Sequence, residues 1–131
     1  YTTTGNAIIN PLTWYHMAIV RDSNEIKLYF NGTHMPFAST YSSSINYTYD
    51  RLAIGGGYAQ YAVLTGHISN FRLVVGSPVY TGNFTVPTSA LTAITNTKLL
   101  TAQHSNQIID ATGNCTIIPH NNCVPTRLNP F

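Results

Sequence analysis

The chain has 131 residues, 44% of them hydrophobic, which is enough for one domain with a hydrophobic core. Only 8% are charged, the formal net charge is +2, and the six basic residues are scattered along the chain. This pattern argues against a nucleic-acid interface, which needs a clustered basic face. No apolar run approaches the roughly 18 residues of a membrane span, so a membrane partner is not expected either.

The polar residues favour strands over helices. Solvated helices draw on Glu, Lys and Arg, but Glu25 is the only glutamate, and Thr, Ser, Asn and Tyr supply the polar surface instead. No segment shows a 3.6-residue hydrophobic period. We therefore predict an all-β chain.

The first half of the chain predicts a three-stranded antiparallel meander. Residues 14–21 alternate with apolar side chains on both faces, and a polar turn at 22–25 follows. In the next strand, Leu28 and Phe30 share one face and Lys27 takes the other, so we expect Leu28 and Phe30 to be buried and Lys27 to be exposed.

Two further signals complete the meander. Asn31-Gly32 is the strongest short hairpin signal known from sequence. Residues 33–41 then read as a third strand, in which Pro36 indicates an edge or a bulge.

The second half offers shorter signals. A bulge near Ser69-Asn70 would explain the imperfect alternation of residues 67–76. A long irregular connection covers residues 77–91, and the last residues are extended. Further strands are predicted at 51–54, running into the glycine-rich turn 55–57, and at 67–76, 97–103 and 115–118.

Several of these segments resemble a known family. "WYHMAIVRDSNEIKLYFNG" resembles the signature of laminin-G-like domains in the concanavalin A-like lectin/glucanase superfamily. "LAIGGG", "LTGHISNFRLVVGSPVYTGNF" and "VPTSALTAITNTKLL" resemble a subgroup found in phage and viral structural proteins, especially fibres. The resemblance runs from about Trp14 to Leu100, with a weaker echo to Phe131.

The resemblance implies a fold and a domain organisation. The expected fold is an all-β, antiparallel two-sheet jelly-roll sandwich that lacks its N-terminal strands in this chain. Residues 1–131 would then be one domain, the C-terminal portion of a longer protein, with 103–131 as an extended tail.

The acidic residues argue against catalysis. Glycosidases need two carboxylates about 5 to 10 Å apart on a rigid surface, and enzymes of the superfamily carry two glutamates on one strand. With a single glutamate that arrangement cannot form, and Asp22 and Glu25 share a turn. We expect no catalytic residue here; the alternative is a glycan hydrolase whose acids lie outside this segment.

The sequence gives little evidence for a metal site or for thiol chemistry. None of the five histidines lies at a metal-ligand spacing, and we expect neither a metal site nor a cofactor. Calcium at a loop rim, held in part by Asp50, is the alternative that the family resemblance implies. Cys115 and Cys123 either close a small loop or remain free thiols. The four N-x-S/T sequons fit chance in a chain rich in Asn and Thr.

Tyrosine is the most informative residue type. The chain has nine tyrosines, and stretches such as "INYTYD" and "GGGYAQYA" mix aromatic faces with amides, a combination that suits sugar binding. The alternative is that these rings seal the sandwich or a subunit interface. The predicted carbohydrate-binding residues are Tyr58, Gln60, Tyr61, Asn46 and Tyr47.

These observations predict a non-catalytic carbohydrate-binding and adhesion module of a virion fibre or similar exposed appendage. Its expected partners are a host-surface polysaccharide, other virion proteins and further copies of itself, with a trimer as the leading arrangement by analogy to viral fibres. The alternatives are a purely structural fibre or capsid-decorating subunit, and an extracellular, secreted setting.

Overall fold

The computed structural model describes residues 9–36, 43, 51–57 and 63–131. Within these ranges the chain contains strands and no helix, so no described segment could span a membrane as a helix. The strands form two antiparallel sheets, one in the order β1-β2-β3 and one of β4 and β5, which confirms the predicted fold class. The strands are β1 (Met17–Asp22), β2 (Glu25–Phe30), β3 (Thr33–Met35), β4 (Phe71–Val74) and β5 (Thr97–Thr101).

The first hairpin turns through Ser23 and Asn24, because Asp22 pairs with Glu25. Ser23 adopts a φ of 56°, as two-residue hairpin turns require. The Lys27 ammonium lies 3.1 Å from a carboxylate oxygen of Asp22 and 3.3 Å from one of Glu25. The hydrogen bond to Asp22 raises the pKa of Lys27. The turn acids are therefore ion-paired.

The second hairpin confirms the prediction from Asn-Gly. Asn31 and Gly32 both have positive φ, 47° and 78°, the geometry of a type I′ turn. Asn31 also extends the pairing beyond Met17: its N–H donates to the His16 carbonyl at 2.8 Å, and its Oδ1 accepts the His16 N–H at 2.9 Å.

The two faces of this sheet differ in coverage. Tyr29 is 1% exposed and Val20 7%, whereas Leu28 and Phe30, on the opposite face, are only half-buried. The expectation that Leu28 and Phe30 occupy the core, with Lys27 exposed, is wrong: Lys27 is itself half-buried. Alternation separates two faces, but it does not decide which one another segment covers.

We call the less covered side of this sheet the open face. Its members lie opposite one another in the strand register, so their side chains project from the same side. Met17 is 60% exposed and Ile19 is 75% exposed. The open face consists of Met17, Ile19, Leu28, Phe30 and Met35.

The second sheet is short and irregular. The β4–β5 register shifts between Leu73 and Val74, so the predicted bulge near Ser69-Asn70 is misplaced. Asn70 instead adopts a φ of 56° and donates its N–H to Ala102 at 2.9 Å, continuing the pairing. The strands expected at 51–54 and 115–118 do not form, and the described part of 33–41 ends its strand at Met35.

The hydrophobic core of the described residues is small. It holds two side chains from each sheet: Val20 and Tyr29 from the first, Leu99 and Leu100 from the second. Most other large apolar side chains in the described ranges remain at least partly accessible.

Candidate functional site

We call the other side of the first sheet, which carries Val20 and Tyr29, the covered face. An irregular segment, residues 80–86, lies against this face, and we call it the strap. The Phe84 N–H donates to the Gly32 carbonyl at 2.9 Å. The His34 N–H donates to Asn83 Oδ1 at 2.8 Å. These two bonds fix the strap to β3 and to the turn before it.

Ring packing reinforces these hydrogen bonds. Tyr80 and Phe84 stack with centroids 3.6 Å apart and an interplanar angle of 8°. Tyr29 meets Phe84 at 5.5 Å, and His16 meets the same ring edge-on at 5.3 Å. We call His16, Tyr29, Tyr80 and Phe84 the aromatic cluster; it explains why Tyr29 is the most buried side chain on its sheet.

His16 is the least satisfied member of the aromatic cluster. Its backbone N–H and carbonyl are both held by Asn31, so the position of the residue is fixed. Its Nδ1 is buried and has no hydrogen-bond partner among the described residues. Burial, and secondarily the positive charge of Arg72, lower the pKa of His16 below its ordinary value.

Asn70 joins the second sheet to the connection that follows the strap. Its Oδ1 accepts hydrogen bonds from the Leu91 N–H at 2.9 Å and from Gln103 Nε2 at 3.0 Å. Arg72 adds a bond from Nη1 to the Thr92 carbonyl at 3.0 Å. This network was not predicted from the sequence, although an Asn inside a strand-like segment is a known sign of a left-handed residue.

Asp110 organises the loop beside β5. Its carboxylate accepts the N–H groups of Leu100, Thr112, Asn114 and Cys115 at 3.0 Å each, and the Thr112 hydroxyl at 2.7 Å. Burial alone would raise the pKa of Asp110, but hydrogen bonds from Leu100, Thr112 and Cys115 outweigh it and lower that pKa far below its ordinary value.

The same loop shields the outer edge of β5. The Ala111 N–H donates to the Leu100 carbonyl at 2.7 Å, and the Lys98 carbonyl accepts Asn114 Nδ2 at 3.4 Å. An edge strand covered in this way cannot pair with another chain through those groups.

The predicted carbohydrate-binding residues Tyr58, Gln60, Tyr61, Asn46 and Tyr47 lie outside the described residues. The structure does describe both ends of the segment that contains the first three. The Leu64 N–H donates to the Gly55 carbonyl at 2.8 Å, and Gly55 has a φ of 78°. This hydrogen bond joins Gly55 to Leu64, and the positive φ of Gly55 is the geometry expected of the predicted glycine-rich turn.

Asp50, the acidic residue named for a calcium site, lies outside the described residues, whereas the other acidic residues and both thiols are described. Asp22 and Glu25 pair with Lys27, and Asp110 holds its own loop. In the described ranges, no three His, Cys, Asp or Glu side chains are grouped so that they could hold a metal ion. Cys115 and Cys123 are both exposed, free thiols.

Comparison with known proteins identifies the family. A family model of the laminin-G type, described as the concanavalin A-like lectin/glucanases superfamily, matches residues 1–78. This match covers more than half of the 131 residues, so the chain belongs to that superfamily, as its Trp14–Gly32 segment indicated. No curated protein and no solved structure matches the chain significantly.

Proposed function

We propose that this concanavalin A-like domain is a non-catalytic carbohydrate-binding module, which attaches a virion fibre or similar exposed appendage to a host-surface polysaccharide. Membership of a lectin/glucanase superfamily supports a glycan ligand. The virion setting rests on the resemblance of residues 52–57, 64–84, 86–100 and 129–131 to the viral subgroup. Other virion proteins would be its neighbours.

The hydrogen bonds and ion pairs of the described acidic residues, Asp22, Glu25 and Asp110, are the observation that carries the non-catalytic part of the proposal. A glycosidase needs one carboxyl group to donate a proton and a second to act as base or nucleophile. Asp110 accepts five hydrogen bonds, and its low pKa keeps it ionised, so it makes a poor proton donor. Asp22 and Glu25 share one lysine at a hairpin turn.

The segment between Gly55 and Leu64 is the proposed binding loop, with Tyr58 and Tyr61 stacking on sugar rings and Gln60 bonding to hydroxyls. Asn46 and Tyr47 would add further contacts. Residues 56–63 contain no charged side chain, so binding should depend little on salt. We expect a dissociation constant per site between about 1 mM and 1 μM, strengthened by avidity across copies.

A glycan array with three proteins tests this loop: the wild-type chain, a Tyr58→Ala/Tyr61→Ala variant and a Phe131→Ala control. Phe131 is 49% exposed in the C-terminal tail, so the control removes an accessible ring elsewhere. We expect wild type and control to bind the same glycans and the double variant to lose at least 10-fold in signal. Equal binding by a folded double variant would remove the loop from the site, and no binding by wild type would reject the function.

The open face supports a second part of the proposal, association of the chain with further copies of itself. Met17 is 60% exposed and Ile19 is 75% exposed on this face, and an exposed group of large apolar side chains is typical of an interaction surface. A second copy seated on the apolar open face would cover part of this surface, and a trimer is the arrangement we favour.

A further inference from the structure

The contact between His16 and the strap combines a titratable ring with a segment held by few bonds. The imidazole packs edge-on against both stacked rings of the strap, 5.3 Å from Phe84 and 6.2 Å from Tyr80 between centroids. The main-chain bonds to Asn31 prevent His16 from leaving the sheet. The strap itself has no strand pairing and is tied to the sheet through Gly32 and His34.

We propose that His16 and the strap form a pH-sensitive latch, in which protonation of His16 releases residues 80–86 from the covered face of the β1–β3 sheet. This device would operate whether or not the domain binds glycans.

The surroundings of His16 disfavour the charged ring. A protonated imidazole donates from both nitrogens, and the part of the chain that the structure describes offers the buried Nδ1 no acceptor. Among the described residues, the titratable and charged groups brought against this cluster are Tyr29 from β2, His34 from β3, Arg72 from β4 and Tyr80 from the strap. The positive charge of Arg72 repels a protonated His16.

The direction of the pH effect follows from linkage. The pKa of His16 in the latched state is below its ordinary value, so the released state binds a proton more readily. The latch is therefore at full strength above about pH 6.5, the ordinary pKa of histidine, and weakens as the pH falls below it. At pH 5 the equilibrium constant that favours the latched over the released state can fall by up to about 30-fold. This limit is the ratio of protonated to neutral imidazole in a freely exposed histidine.

Amide hydrogen exchange followed by NMR on the 131-residue chain tests the latch. After correction for intrinsic exchange rates, the protection of the Phe84 and His34 amides should fall several-fold to about 30-fold between pH 7 and pH 5. The Leu100 amide, bound to Asp110 in the second sheet, serves as the internal reference and should keep its protection. A parallel loss at Leu100 would mean general unfolding and would overturn the proposal.

Two variants separate His16 from the other histidine of the site. His16→Phe keeps an aromatic ring but cannot titrate, so the pH dependence at Phe84 should disappear. His34→Gln is the matched control: the bond of residue 34 to Asn83 uses the backbone N–H, so the pH dependence should remain. Persistence of the effect in His16→Phe would contradict the latch. If His16→Phe does not fold, the imidazole titration of wild type decides: a His16 pKa at or above 6.5 rejects the proposal.

Discussion

Gly32 and Phe84, 52 positions apart in the sequence, form one structural unit: the Phe84 N–H donates to the Gly32 carbonyl, and a Cβ on residue 32 would collide with the Phe84 carbonyl oxygen. The glycine thus serves two purposes. Its φ of 78° closes the Asn31-Gly32 turn, and its missing side chain lets the strap approach the sheet. A local turn signal and a long-range contact therefore depend on the same residue.

Substitution of Gly32 should separate its role in the turn from its role in letting the strap approach the sheet. Gly113 is a matched control, because it has a similar φ of 73° but open space where a Cβ would lie. Gly113→Ala should cost about 1–2 kcal/mol from backbone strain alone. Gly32→Ala should cost clearly more, about 3 kcal/mol or above, because the collision is added. Urea unfolding measures both, and equal losses would show that the strap does not press on Gly32.

Truncating one aromatic side chain on each face of the first sheet, and comparing the losses of stability, distinguishes the covered face from the open face. Tyr29→Ala should lower the free energy of unfolding by about 3–5 kcal/mol, since Tyr29 is 1% exposed. Phe30→Ala should cost less, about 1–2 kcal/mol, because Phe30 is half-buried and stacks on Tyr15 at 5.0 Å. The comparison must be made at concentrations where the chain is monomeric. A larger loss for Phe30 would favour the arrangement that alternation alone predicted.

The Asp110 loop should determine the stability of the chain in acid. Because the pKa of Asp110 is lower in the folded chain than in the unfolded chain, its stabilisation is complete above about pH 4 and is lost as the pH falls further. Asp110→Ala, which leaves several N–H groups without an acceptor, should cost at least about 2 kcal/mol at pH 7. Urea unfolding from pH 6 to pH 2 should show a smaller acid-induced loss in this variant than in wild type. An identical pH profile would contradict this role.

The open face should control self-association. Ile19 is 75% exposed on the open face, so the Ile19→Lys variant would place a charge in the proposed interface. Ile118→Lys is the control, because Ile118 is 69% exposed and belongs to neither sheet. Light scattering at micromolar concentration should show oligomers for wild type and Ile118→Lys and monomers for Ile19→Lys. Monomeric wild type would reject the assembly. Oligomers that persist in Ile19→Lys would place the interface elsewhere.

Local signals predicted the parts of this fold that local physics determines. Asn31-Gly32 specified its turn because few residues adopt two positive φ angles in succession. The covered side of the sheet depends on where Phe84 packs, which alternation around Tyr29 cannot reveal. The Asp110 loop was missed as a structural element, although its Asp-x-Thr-x-Asn pattern is typical of side chains that bond to nearby backbone.

The candidate site was less accessible to sequence reasoning than the fold. The turn at Gly55 was predicted from the run of three glycines, and its positive φ confirms it, because a turn leaves a local signature in the sequence. Sugar binding by Tyr58 and Tyr61 stays a prediction, since stacking tyrosines and packing tyrosines have the same composition. The role of His16 could not be read from sequence at all: it depends on Arg72, Tyr80 and Phe84, which meet it only in the folded chain.

The central claim is that the domain binds a glycan without cleaving it, and one measurement tests both halves. A fluorescently labelled polysaccharide from the host surface is incubated with the chain and followed by size-exclusion chromatography over several hours. We predict that the label co-elutes with the protein and that, after the protein is removed, the polysaccharide retains its original size. Shortened polysaccharide would show that the domain is a hydrolase, and label that never co-elutes with the protein would show that it is not a lectin for that host.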